Sequence, residues 1–308
     1  MNPSQKQAPP VVHKQAPSVV LNDQPLINTQ LKILTLGQAQ VLVDGQPANW
    51  HSDSARALFF YLLAHQNGKS REEIIDALWN CEPNAASNNR FRVTVCRLRN
   101  ALGWREAITE LHSRYQLDQM VLEASDTHEF YVLLARAEHT SNSALKLEFY
   151  QHAFVVYAGD YLPLETSSWV LKIRHEHNAA FARAKIAVAL LHCDQGLCQA
   201  SVGVLTMALN HDPLLGENHH QKLMSCLSVV EGKFTAIEHY RRFVGFLVHD
   251  LKDTPMPETI VLAARIKNGE RICLRALQQA GLPVKFQNPF IADFQVQPLP
   301  MLERRVLS

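Results

Sequence analysis

Apolar residues follow one spacing and then another along this chain, and each change marks an element. "LKILTLG" and "QVLVDG" run or alternate apolar from Leu31 and stop at Gly37 and Gly45, which predicts short antiparallel strands with a turn at Asp44-Gly45. "SARALFFYLLAHQNG" then has a helical apolar middle, with Asp53 or Ser54 expected to cap its start and Asn67-Gly68 to stop it. "SREEIIDALW" opens a second helix, because Ser70 and Glu73 have capping-box spacing, and Ile74, Ile75, Leu78 and Trp79 supply its buried side. After Pro83, "NNRFRVTVCRLRNALG" predicts a third helix over 86–101. Beyond Gly103, apolar stretches at Ile108 to Leu111, Tyr115 to Leu117 and Met120 to Leu122 flank the polar turn His112-Ser113-Arg114 and predict a β-hairpin.

Strands, three helices and a hairpin, in that order, make a winged helix-turn-helix over residues 31–125. From about Asp126 the strand signals vanish. A long helix from about Thr166 to His192 puts Trp169, Ile173, Ala180, Ala184, Ala187 and Leu191 on one face. "GLCQA" and "GKFTA" lie 36 residues apart, each at a predicted helix–helix turn. Tetratricopeptide-type hairpins repeat at roughly 34 residues and leave a concave surface, so 126–270 is expected to be an all-α helical-repeat domain. The fold class is mainly α, with small β-strands confined to the N-terminal winged helix. Residues 1–30 carry a Pro-bearing repeat, "KQAPPVV" and "KQAPSVV", and are expected to be a disordered arm. Residues 271–308 are expected to be a weakly ordered tail holding one more helix, "RICLRALQQAG".

Composition narrows the function. The chain of 308 residues is 47% hydrophobic with a formal charge of +1, so a nucleic-acid partner must be met by a local patch. Six cysteines form no CxxC pair, which argues against a zinc ribbon or a disulfide framework. No apolar run is long enough to span a bilayer and no signal-peptide core opens the chain. A cytoplasmic protein with no membrane partner is expected.

The local patch is the third helix. From Asn84 to Arg105 there are five arginines and no acid. With Phe91 at zero on a helical wheel, Val95, Leu98 and Leu102 fall within about 40° and form the core stripe. Asn89, Val93, Cys96, Arg97 and Asn100 lie opposite, and Arg90, Arg92 and Arg99 flank the boundary. A DNA major groove fits such a front: arginine pairs bidentately with guanine, asparagine with adenine, and a small apolar group meets a thymine methyl. Asn89, Val93, Cys96 and Arg97 are therefore candidate base readers. Arg92, which suits either job, is grouped with them. Arg90, Arg99 and the wing residue Arg114 are candidate phosphate holders.

These segments resemble a known family. "ARALFFYLLAHQNGKSREEIIDALW" and "NNRFRVTVCRLRNALG" resemble the OmpR-type winged helix of the Streptomyces antibiotic regulatory protein family. "YAGDYLPLETSSWVLKIRHEHN", "LNHDPLLGENHHQKLMSCLSVVEGKFTAIEHYRRF" and "DTPMPETIVLAARI" resemble the bacterial transcriptional activator domain that follows it. The resemblance covers roughly residues 31–267. It implies a transcriptional activator that binds double-stranded promoter DNA, as a homodimer or as tandem copies on direct repeats, and contacts RNA polymerase. It implies that 86–101 is the recognition helix and that Tyr115-Gln116-Leu117 belongs to the wing. Where the family wing often carries Gly before the aromatic, this chain has Arg114. No phospho-acceptor receiver module fits in residues 1–30, so aspartyl phosphorylation control is not expected in cis.

Rival readings are weaker. "RHEHN" sets His175 and His177 about 200° apart on a helix, whereas a shared metal needs i, i+4. Those histidines and the "NHH" pair, His219 and His220, are expected at the surface or in a groove. No GxxxxGK[ST] loop and no Ser/His/Asp neighbourhood is present, so neither an enzyme, a cofactor nor a metal is expected. The alternative in another class is a helical-repeat interaction scaffold whose winged helix does not bind DNA specifically. If the two units act separately, a fragment of residues 31–125 keeps weak DNA binding and loses activation.

Overall fold

The computed structural model describes residues 30–273. The arm before Gln30 and the tail after Cys273, with most of its expected helix, lie outside them. Strands β1 (Leu31–Leu34), β2 (Gln40–Val43) and β3 (Gln46–Pro47) form an antiparallel sheet in that order. Its tight turn is at Asp44 and Gly45, both with positive φ. Helices α1 (Asp53–Ala64), α2 (Arg71–Trp79) and α3 (Ala85–Leu102) follow, with the short β4 (Lys69–Ser70) between α1 and α2. β5 (Ile108–Leu111) and β6 (Arg114–Leu117) make the hairpin, and β4 pairs on its β6 edge.

Local chemistry explains most boundaries. The α2 capping box is formed, with Glu73 N–H on Ser70 Oγ and Ser70 N–H on the Glu73 carboxylate. Ile74 and Ile75 are fully buried, while Leu78 and Trp79 are only half-buried. Two sequence expectations are corrected. The cap of α1 is Ser52, whose Oγ accepts from Ala55 N–H, because Asp53 and Ser54 already lie inside the first turn. Met120 to Leu122 is not a strand: Asp118 caps a short helix, α4 (Gln119–Glu123), through Met120 N–H.

The rest of the described chain is helical: α5 (Asp126–His139), α6 (Ser143–Val156), α7 (Ser168–Asp194), α8 (Cys198–His211), α9 (Glu217–Val230), α10 (Lys233–Phe246), a π-helical turn (Leu247–Leu251) and α11 (Pro257–Lys267). "GLCQA" and "GKFTA" sit at the α7/α8 and α9/α10 corners. α7 is buried on two sides. Ala180, Ala184 and Val188 join a core shared with the winged helix, while Ile186, Ala189 and Cys193 join a second core with α8, α9 and α11.

No linker separates the two regions. The chain from Ile33 to Gly37 is zipped to both sides of the helical part. Ile33 N–H donates to Ala124 O at 3.0 Å, Gly37 N–H to Asp160 O at 2.9 Å, and Leu162 N–H to Thr35 O at 2.8 Å. Between them the buried Asp126 carboxylate accepts from Thr35 N–H (2.6 Å), Thr35 Oγ (2.6 Å) and Leu36 N–H (2.8 Å). Gly37 is required here, because a Cβ would meet Ala158 C at 3.0 Å and its φ is +84°. Arg174 of "RHEHN" secures the loop from behind by donating to Tyr161 O, Leu162 O and Glu165 O. Trp169 at the start of α7 meets Tyr61 of α1 edge-on, with ring centroids 5.4 Å apart. A fragment cut at 125 keeps the Ile33–Ala124 bond but loses the Asp126, Asp160, Leu162 and Trp169 contacts and bares Leu36, so it is not expected to fold on its own.

The histidines are not all at the surface. His175 is exposed, but His177 sits against Tyr161 and bonds Tyr131 Oη at 2.8 Å. His220 is buried, stacked on Phe243 with ring centroids 3.8 Å apart. Its Nε2 faces Pro213 O at 3.0 Å and must carry the proton. Its Nδ1 therefore accepts from His239 Nε2 at 3.1 Å. Burial lowers His177, His219 and His239 to about 4, helped at His219 by the His220 charge and at His239 by His220 and Arg242. Burial also lowers His220, against the pull of the Pro213 carbonyl.

Asp126→Ala is expected to cost on the order of 3 kcal/mol, since it strands two buried backbone N–H groups and a hydroxyl. Urea unfolding measures this, and a loss below about 1 kcal/mol would show that the seam does not depend on the carboxylate. A second prediction concerns pH. The unfolded histidines titrate near about 6.5, and the folded ones only near about 4. Between those values the unfolded chain holds more protons, so stability rises with pH and is lost as pH falls from about 6.5 towards 4. His177→Gln should flatten the dependence of the urea midpoint between pH 7 and pH 5; an unchanged slope would remove His177 as a contributor.

Candidate nucleic-acid interface

The Asn84 side chain caps α3 by accepting from Ala86 N–H and Ser87 N–H, and Gly103 closes it in the left-handed conformation. Phe91, Val95, Leu98 and Leu102 are buried, as the wheel predicts. Thr94 and Ala101 are buried too, because the Thr94 hydroxyl turns back to Arg90 O at 2.8 Å and needs no solvent. α3 is thus seated against α1 by a wide apolar back.

Asn89, Arg92, Val93, Cys96, Arg97 and Asn100 are all exposed, with Val93 at 40%. Their alternating steps of three and one put them on one face about 16 Å long at 1.5 Å per residue. Among the described residues, Arg92 and Arg97 have no hydrogen bond, ion pair or ring contact. This face is a row of free donors with a thiol and a valine between them. No acid lies on α3 to neutralise it.

The flanking arginines are held. Arg90 lies over the Trp79 ring at 4.4 Å and donates to Ser54 Oγ at 3.2 Å. Arg99 donates through Nη2 to Ile108 O at 2.8 Å, tying α3 to the hairpin. Its Nε is buried with no partner among the described residues. Arg114 donates through Nε (3.2 Å) and Nη2 (2.8 Å) to Gly68 O and lies 3.4 Å from the Glu73 carboxylate. Its backbone is the first residue of β6, not the hairpin tip. The tip is His112-Ser113, both at positive φ, so the turn forms without glycine. Glycine is needed instead at 68, where φ is +73° and a Cβ would press on Tyr115 O at 3.1 Å.

The brace around Arg114 is electrostatically tuned. The Ser70 N–H, then Lys69 and Arg114, hold the Glu73 carboxyl down to about 2. Tyr115 packs edge-on to Phe91 at 4.8 Å and its hydroxyl lies 3.4 Å from Arg71 Nη2, which fixes the hairpin to α2 and α3. Beside the C-terminal end of α3, a cleft of about 570 Å³ is lined by Cys96, Arg99, Asn100, Gly103, Trp104 and Arg105. The structure therefore brings Asn89, Arg92, Val93, Cys96 and Arg97 together. It sets Arg90 at their edge and draws Arg99 and Arg114 towards the hairpin. Ser54 and Trp79, the seat of Arg90, were not anticipated. Trp79 reads in sequence as core, and only its half-burial shows a second face.

Among the described residues no helix is long and apolar enough to cross a membrane, and no group of three His, Cys, Asp or Glu could hold a metal. Residues 125–267 match the bacterial transcriptional activator domain family. The structure of Mycobacterium tuberculosis EmbR in complex with a low-affinity phosphopeptide superimposes with a TM-score of 0.67 at 20% identity. The match covers 82% of this chain and 69% of that one. No curated protein sequence matches the chain.

Proposed function

We propose that the chain is a transcriptional regulator of the Streptomyces antibiotic regulatory protein type, an activator that reads promoter DNA with the exposed face of α3, a reading supported by the activator-domain match over residues 125–267 and by the shared fold. The observation that carries this reading is the pair of uncommitted guanidinium groups, Arg92 and Arg97, set among Asn89, Val93 and Cys96 on a face without acids. In a major groove Arg97 pairs with a guanine edge, and Asn89, Val93, Cys96 and Arg92 complete the reading row. Arg90, already oriented by Trp79 and Ser54, holds a phosphate at one edge. Arg99 and Arg114 hold phosphates from the hairpin side with the donors that Ile108 and Gly68 leave unused.

In this reading residues 31–125 supply the DNA contacts. Residues 126–270 supply self-association on direct repeats and contact with RNA polymerase in the cytoplasm. The seam at Asp126 joins the two as one body, so that a load on the helical hairpins is felt at α3.

Arg97→Ala should cost on the order of 1–3 kcal/mol on the cognate site and relax preference at one base pair. Arg90→Ala should weaken cognate and scrambled duplexes alike and reduce the slope of log affinity against log salt by roughly one. Arg114→Ala should do the same and also lower the melting temperature, because it removes the brace on Gly68 and Glu73. Anisotropy titrations at several salt concentrations, with sites first mapped by selection from random duplexes, measure all three. An unchanged cognate-to-scrambled ratio for Arg97→Ala would remove it as a reader. Absence of any DNA binding by the wild-type chain at low salt would leave the interaction-scaffold reading in its place.

A further inference from the structure

The cleft beside the C-terminal end of α3 is lined by Cys96, Arg99, Asn100, Gly103, Trp104 and Arg105, and none of the six is acidic. Two of them carry N–H groups that are buried and have no partner among the described residues: Arg99 Nε and Trp104 Nε1. Buried polar groups are nearly always paired, and a donor left without an acceptor destabilises the fold. Here both orphans are donors, and both belong to the lining of a single cleft. An acceptor from outside the chain would offset both.

The backbone of this corner is set before any ligand arrives. Gly103 turns at a φ of +63°, and its N–H donates to Asn100 O at 3.2 Å. Trp104 N–H donates to Arg99 O at 3.2 Å, which brings residue 104 back beside the last turn of α3. Two carbonyls at the negative end of the helix are thereby engaged and oppose an anion less. The Arg99 guanidinium is pinned through Nη2 to Ile108 O at 2.8 Å, and Trp104 packs on the winged-helix core. Asn100 and Arg105 are exposed and bring further donors.

Four residues thus offer N–H groups and none offers a carboxylate, which selects an anion. A phosphate group presents three strong acceptor oxygens in different directions, and so suits donors from several side chains better than a carboxylate does. At about 570 Å³ the cleft has room for more than the phosphate alone. The Trp104 ring and Cys96 give the rest of the ligand an apolar wall. We propose that this cleft binds a small phosphate monoester with a compact aromatic or apolar body, its phosphate held by Arg99, Asn100, Trp104 and Arg105. The site itself does not depend on DNA. One consequence does rest on the DNA reading above: Arg99 is there a holder of a backbone phosphate, so a bound monoester competes with the duplex.

The probe is phenyl phosphate, titrated calorimetrically into the full chain without DNA. Saturable one-to-one binding is expected. Arg105→Ala and Trp104→Phe should each weaken it roughly tenfold or more, the loss of one hydrogen bond to a charged group. Trp104→Phe keeps an aromatic ring and changes no charge, so a loss there is not diffuse attraction to a basic surface. A loss in Arg105→Ala with none in Trp104→Phe is such attraction, and overturns the proposal. Nitrogen-edited NMR tests the wild-type chain directly. The Trp104 indole signal, identified by its absence from Trp104→Phe, should move during the titration while the other indole signals stay; a stationary Trp104 signal would equally overturn the site. Should phenyl phosphate fail to bind while Arg105→Ala lowers the salt slope of DNA binding, the cleft takes a backbone phosphate only and the free ligand is wrong. A chain that binds phenyl phosphate but no DNA keeps this site and loses the DNA reading. Where DNA does bind, saturating phenyl phosphate should weaken it several-fold, and an unchanged duplex affinity would overturn the competition.

Discussion

A buried carboxylate governs this molecule. Asp126 stands at the first turn of α5, where a helix N-terminus favours negative charge. It turns away from its own helix to accept two N–H groups and a hydroxyl from Thr35 and Leu36. Those N–H groups lie just past the end of β1, where pairing with β2 stops. Buried and unpaired they would each cost on the order of 1–3 kcal/mol. The carboxylate satisfies them, and it can do so only if the N-terminal sheet lies against α5 and the Tyr161 loop. Asp126 thus shares in the decision that the winged helix and the helical hairpins pack as one body, together with the Gly37–Asp160 and Leu162–Thr35 bonds and the Tyr61–Trp169 contact.

α7 extends that decision across the molecule. Trp169 touches Tyr61 of α1, while Cys193, near the other end of α7, lies in the core beneath α8 and α9. At 1.5 Å per residue its 27 residues span about 40 Å. α1 is the helix on which α3 sits, so a single rigid element connects the support of the arginine face with the last hairpins. Coupling in such an arrangement is carried by packed side chains and needs no hinge.

What the sequence could show follows from the range of each interaction. The helices and the capping box at Ser70 were legible because their signals repeat within a turn or two. The back of α3 was legible for the same reason, through Phe91, Val95, Leu98 and Leu102. Thr94 escaped because a polar residue reads as exposed unless its hydroxyl is known to satisfy the helix itself. The seam escaped because Thr35 and Asp126 are 91 positions apart and neither is apolar. "RHEHN" reads locally only as two histidines on different faces of a helix. Its actual work, Arg174 on the loop carbonyls and His177 on Tyr131, depends on partners that no local pattern reveals.

The arginines show the same limit on the functional face. Spacing assigns Arg90, Arg92, Arg97 and Arg99 to sectors of a wheel, but a guanidinium reaches about 6–7 Å from its backbone and goes where acceptors are. Arg99 finds Ile108 O at the start of β5, and Arg114 finds Gly68 O just before β4. Arg92 and Arg97 find nothing, because their sector of α3 faces neither α1 nor the hairpin. Arg90, Arg99 and Arg114 keep their charge but are oriented by Trp79, Ile108 O and Gly68 O, while on α3 the guanidinium groups without such partners, Arg92 and Arg97, stand together on one exposed face.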